Sequence, residues 1–140
     1  MLHPGLETFI RICKTHMPEN AWVGFQTNGL LLDQKRSESL VCSCVDAICI
    51  SVDSIYDWKY ENIRNGSRFE NVCEAFFRLR TAKKMQKSTK PEIGIEFVLK
   101  KDNAHELPGL IEWAHHMDAS FVIVSHLLPY KKRFSVNGCL

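Results

Sequence analysis

The chain has 140 residues, 45% of them hydrophobic and 24% charged, with a formal net charge of +2. That is the make-up of one globular domain rather than of a disordered or fibrous segment, and so small a charge argues against nucleic acid or an anionic membrane as a partner. No apolar run approaches the ~20 residues of a membrane-spanning helix and the N-terminus lacks a basic-then-apolar signal pattern, so a soluble protein of the cytoplasm is expected.

In chain order, the first periodic segment follows His3-Pro4-Gly5. Leu6, Phe9, Ile10, Cys13 and Met17 recur at three- and four-residue spacing, which predicts a helix with one apolar face. Ala21 to Thr27 is short, rich in aromatic and β-branched residues and closed by Asn28-Gly29, so it reads as a strand ending in a turn, with Gln26 and Asn28 on one face. Leu30 to Cys42 sets Asp33, Gln34, Lys35, Arg36 and Glu38 between leucines, a helix with a polar outer side.

Asp46 to Asp53 reads as a strand buried on both faces. Side chains alternate along it, so Cys49, Ser51 and Asp53 point one way and Ile48, Ile50 and Val52 the other. In parallel sheets ligands collect at the carboxyl ends of the strands, and two polar residues there suggest a site. A strand followed by an Asp-Ser turn accounts for the same pattern.

Tyr56 to Gly66 has mixed composition and ends Arg64-Asn65-Gly66, a loop with room for a short helical turn. Ser67 and Glu70 fit a capping box, and the helix it opens carries a stripe of Phe69, Val72, Cys73, Phe76 and Leu79. The basic cluster of Arg78, Arg80, Lys83, Lys84, Lys87 and Lys90 has no interleaved aromatics and suits the solvated, negative end of that helix better than nucleic acid. Ile93 to Leu99 alternates as a strand, with Glu96 on its less apolar face; a carboxylate there either sits on an open edge or lines a polar cavity. Asn103 and Glu106 form a second potential cap before a stripe of Leu107, Leu110, Ile111 and Ala114, and Pro108 places the helix start nearer residue 107 than 104. Ser120 to Ser125 is a fourth strand, and the tail from Lys131 to Leu140 matches no element, so residues 131–140 are expected to be unstructured.

Helix and strand alternate four times with short connections, so the expected class is α/β, with a parallel sheet and right-handed crossovers. A complete eight-stranded barrel takes roughly 250 residues; four strands with flanking helices make a partial (β/α) barrel, half of one, or a small open sheet. The six cysteines (Cys13, Cys42, Cys44, Cys49, Cys73 and Cys139) lie mostly inside apolar segments and are expected to be free thiols.

Four motifs, in this order and at these separations, resemble the radical S-adenosylmethionine (radical SAM) superfamily over about residues 1–130. They are FQTNGLLL at Phe25 to Leu32, ISVD at Ile50 to Asp53, IRNG-SRFENV at Ile63 to Val72, and the strand-Asn-ELP pattern from Ile93 to Pro108. SHLLPY at Ser125 to Tyr130 is similar to the branch of peptide and cofactor maturases, among them a tungsten-cofactor oxidoreductase maturase. The resemblance implies a partial barrel that binds S-adenosylmethionine and a four-iron, four-sulfur cluster at the strands' carboxyl ends, where reductive cleavage yields a 5′-deoxyadenosyl radical that abstracts hydrogen from a substrate, here a peptide or protein. It also implies cofactor-side roles for Ser51 and Asp53 and for Arg64 toward the cofactor carboxylate; Asn28 and Glu96 join them as candidates because their predicted faces converge on the same lumen.

The superfamily's CxxxCxxC cluster motif is absent from this sequence, and Cys42, Cys44 and Cys49 are spaced one and four residues apart, a poor set of ligands for one cluster. The expectation is therefore a truncated core domain over residues 1–130 that holds no cluster and is inactive alone. A nucleoside-binding or protein-interaction domain, self-associating through an open sheet edge, is the alternative. A hydrolase built on His115, His116 or His126 ranks below both, since no Ser-His-Asp order or nucleophile elbow accompanies them.

Overall fold

The computed structural model describes residues 3–126. Four strands, β1 (Gly24–Thr27), β2 (Ala47–Val52), β3 (Glu92–Leu99) and β4 (Phe121–His126), form one sheet in the order β1-β2-β3-β4, every pair parallel. Helices α1 (Leu6–His16), α2 (Gln34–Cys42), α3 (Asp57–Ile63), α4 (Phe69–Met85) and α5 (Leu107–His116) precede or connect them, with a single 3-10 turn at Ala104–Glu106. This is the expected α/β partial barrel. Residues 127–130 of the SHLLPY motif and the 131–140 tail lie outside the described residues. None of the described helices is long and apolar enough to cross a membrane.

The register follows from the alternation. Ile48, Ile50 and Val52 of β2 meet Ile93, Ile95 and Phe97 of β3, and this face packs on Leu40 of α2, Val72, Phe76 and Leu79 of α4, and Leu110 of α5. All six residues of β2 are buried, so it is the centre of the sheet. Gly29, at φ +78°, makes the turn out of β1. Asp33 caps α2 by accepting from the Arg36 amide at 2.7 Å, so that helix starts four residues later than Leu30.

Four expectations are corrected. The segment after β2 holds a seven-residue helix, because Tyr60 is fully buried against Phe69 with ring centroids 5.5 Å apart. The Ser67–Glu70 capping box does not form: the Ser67 amide closes a turn onto Arg64 O at 2.8 Å, α4 starts at Phe69 with no side-chain cap, and Glu70 pairs with Arg68 instead. Asn103 and Glu106 make no cap either, being turned inward toward the end of β2, although α5 does begin at Leu107. The apolar stripes of α1 and α5 are only partly covered: Ile10, Leu110 and Ala114 are buried, while Phe9, Met17 and Ile111 are exposed.

Candidate functional site

The sheet face opposite the helices carries Gln26, Cys49, Ser51, Glu96 and Ser125, with Gln26 opposite Cys49, Ser51 opposite Glu96, and Ser125 one step diagonal to Glu96. Gln26 Nε2 donates to Ser51 Oγ at 2.8 Å, and Ser51 Oγ donates to Glu96 Oε2 at 3.3 Å. Ser125 Oγ donates to the other carboxylate oxygen, Oε1, at 3.1 Å. One polar ladder thus crosses all four strands, and Glu96 is at its middle on an interior strand. Two hydroxyl donors offset part of the cost of covering a carboxylate there. Below it, burial and then the Glu96 charge push the Cys49 thiol up to about 11.

A hollow of about 510 Å³ opens on this face, lined by Trp22, Gly24, Cys49, Glu96, Phe121 and Ile123 among others. Two of its lining rings are seated by glycines. A Cβ on Gly94 would lie 2.1 Å from the Phe121 ring and one on Gly24 2.4 Å from the Trp22 ring, so both rings rest where side chains are missing.

Asp53 follows β2 directly and is buried. Its Oδ2 accepts from Arg64 Nε at 2.5 Å, and the Arg64 guanidinium lies 5.9 Å from the centroid of the Tyr60 ring. Among the described residues the two Nη groups of Arg64 have no hydrogen-bond partner. The Tyr60 hydroxyl is likewise buried with no hydrogen-bond partner among them, and burial raises its pKa, helped by Asp53 and opposed by Arg64. The Asn28 Oδ1 accepts from the Leu30 amide at 3.2 Å, holding the turn after β1.

Three residues that the sequence did not single out for the site support it. Ser125 completes the ladder, and Lys59 and Glu106 form an ion pair of 2.8 Å in which the Glu106 side chain is fully covered. Lys59 gave no signal, being one polar residue in a segment read as a loop. Glu106 was visible as a carboxylate near a helix start, and the bland capping role hid it.

The cysteines do not converge. Cys49 faces the hollow, whereas Cys42 and Cys44 end α2, where Cys42 Sγ meets Gln86 Oε1 at 3.1 Å, and Cys13 and Cys73 belong to α1 and α4. Among the described residues no group of three His, Cys, Asp or Glu could hold a metal ion. An iron-sulfur cluster therefore does not fit the described donor set.

No family model matches the chain. It is 29% identical over 121 residues to the GTP 3′,8-cyclase of Chlorobaculum tepidum, covering 84% of this chain and 34% of that protein. It is also 29% identical over 129 residues to the tungsten-containing aldehyde ferredoxin oxidoreductase cofactor-modifying protein of Pyrococcus furiosus, covering 91% of this chain and 35% of that one. The chain spans about a third of the length of these relatives. Among solved structures, native anSMEcpe with bound AdoMet and Cp18Cys peptide superposes with a TM-score of 0.69 at 22% identity, over 97% of this chain and 38% of that one. The same protein with bound AdoMet and Kp18Cys peptide gives 0.65 at 19% identity, over 87% and 33%.

Proposed function

We propose that this chain, whose resemblance to the radical SAM superfamily is borne out by its relatives and its fold, binds S-adenosylmethionine at the carboxyl ends of β1 to β4. The observation that carries the reading is the Arg64 guanidinium. Its Nε is committed to Asp53 while both Nη groups have no partner among the described residues, which leaves the end-on fork that a carboxylate accepts in two parallel hydrogen bonds. The buried Tyr60 hydroxyl, which has no partner among the described residues, fits a site completed by a ligand.

In this reading Arg64 takes the carboxylate of the methionine part, Asp53 fixes the guanidinium plane, and the Ser51–Glu96 ladder offers hydroxyl and carboxylate groups to the polar remainder. Asn28 shapes the rim through its turn. The bound cofactor would supply a sulfonium next to the strand ends. Because the described residues offer no cluster site, the chain's own role ends at binding and orientation, and we expect it to generate no radical by itself. The likeness to a cofactor-modifying protein and to a structure that holds a peptide supports a place in cofactor or peptide maturation.

Titration of the chain with S-adenosylmethionine by calorimetry is the test. Saturable one-to-one binding is expected, weakened roughly tenfold by Arg64→Lys, which loses the planar fork but keeps the charge. A folded chain with no measurable binding would overturn the reading. Iron and sulfide assay after anaerobic reconstitution checks the cluster; stoichiometric uptake would show that the cysteines had been misread.

The sheet edge favours a second reading. β1 is an edge strand of four residues, and Trp22 beside it and Phe9 and Ile12 on α1 are exposed. Such an edge recruits a partner strand, so self-association is expected as concentration rises, read by sedimentation velocity.

A further inference from the structure

We infer that Glu106 is a positioning residue for the Asp53–Arg64 pair, acting by gripping at once the two separate segments that carry its partners. Its Oε2 accepts from Ser54 Oγ at 2.7 Å and from the Ile55 amide at 2.9 Å, which fixes the loop leaving β2 immediately after Asp53. Its Oε1 accepts from Lys59 Nζ at 2.8 Å, which fixes α3, the helix whose C-cap is Arg64. One carboxylate thus holds both sides.

The neighbourhood leaves this anchor little freedom. Lys59 Nζ also donates to Asp102 O at 2.6 Å, so the cation is held from two directions. Asn103 Nδ2 donates to Asp53 O at 3.2 Å and to Val98 O at 2.9 Å, while its Oδ1 accepts from the Lys100 amide at 2.7 Å. Glu106 and Ser54 are 1% and 0% exposed, so these bonds form away from competing water. The turn between β3 and α5 therefore acts as a mould for the β2 end. A loop carrying a charge pair drifts unless its own backbone is pinned, and a drift of an ångström is enough to spoil a two-bond carboxylate contact.

Nothing about Asp53 or Arg64 touches Glu106 directly, so the claim is one of geometry and not of charge. The test uses the full chain. Removing Glu106 alone leaves the half-buried Lys59 without its carboxylate, so the decisive variant is the double Lys59→Met/Glu106→Leu, which replaces the pair by apolar side chains of similar volume and is expected to keep the fold. The first readout is the Arg64 Nε–H resonance in nitrogen-15 NMR, which reports the bond to Asp53. In the folded double variant it is expected to exchange with water about tenfold faster than in the parent, together with the Ile55 amide. The second is S-adenosylmethionine affinity, expected to fall about tenfold; this arm rests on the proposed function, and the resonance does not.

An Arg64 Nε–H as protected in the double variant as in the parent would overturn the inference and leave Glu106 a stability residue only. A parent chain that binds no S-adenosylmethionine would count against the proposed function while leaving the resonance result to decide this one. Ser54→Ala, which removes one of the three Glu106 contacts without stranding a charge, is expected to accelerate the same resonance by a smaller factor, and no change in either variant would count the same way.

Discussion

Cys49 is the sharpest quantitative prediction the site allows. Burial, with the neighbouring Glu96 charge, holds its thiol at about 11 instead of the ordinary 9.0. At pH 8 that leaves about one thiolate in a thousand, against about one in ten for a thiol at 9, so alkylation of a variant retaining only Cys49 should run about a hundredfold slower on this ground alone. The pH profile separates the effect from poor access. With iodoacetamide the rate should still rise about tenfold per pH unit between 9 and 10, and Glu96→Gln should shift the whole curve to lower pH by removing the like charge. The same shift acts on stability. Because the folded value lies above the unfolded one, the thiol contributes stability that is complete below about pH 8.5 and is lost as the pH rises toward 11, at most about 3 kcal/mol. A rate that levels off near pH 9 in the folded chain would refute the placement of Cys49 beneath the ladder.

Two further perturbations probe the sheet. Gly94→Ala puts a methyl 2.1 Å from the Phe121 ring, so the ring must leave its seat; a loss of about 1–3 kcal/mol by urea denaturation is expected, and a loss under about 0.5 kcal/mol would show that the ring is not held there. Asp46 is opposed by burial, yet its bonds to Lys14 and to the Val23 amide outweigh that and hold its carboxyl below the usual range. Its contribution is therefore present at neutral pH and lost as the pH falls through the lowered value. Because the pair is partly exposed, Asp46→Asn should cost under about 1 kcal/mol at pH 7 and progressively less as the pH falls through the lowered value, measured by urea midpoints over a pH series; a cost that does not change with pH would argue against the pairing.

Much of the fold was legible because its signals are local. The alternation in β2 and β3 and the apolar stripe of α4 each follow from a few neighbouring residues, and the four-strand parallel order follows from the alternation of helices and strands. The resemblance to the radical SAM superfamily rested on motifs of the same local kind. Ser51, Asp53 and Glu96 could be placed on one face because strand parity alone does that.

What the sequence could not settle were the choices between near-equal local options. Ser67 and Glu70 satisfied the pattern of a capping box, but the turn from Arg64 claimed the Ser67 amide first. Tyr56 to Gly66 carried turn residues at its end, and the burial of Tyr60 against Phe69 tipped it into α3.

The sequence by itself determined the class of the chain, the strands, and the face on which polar groups gather, because periodicity of two or 3.6 is written in consecutive residues. Only the tertiary structure decided which partner each of those polar groups takes. Asp53 meets Arg64 eleven residues on, Ser51 meets Glu96 across 45, and Ser54 meets Glu106 across 52. Such pairings depend on the register of the sheet and on which turn fills the end of β2, and a buried carboxylate is committed to its donors only once the chain has closed around it and removed the water that would otherwise serve.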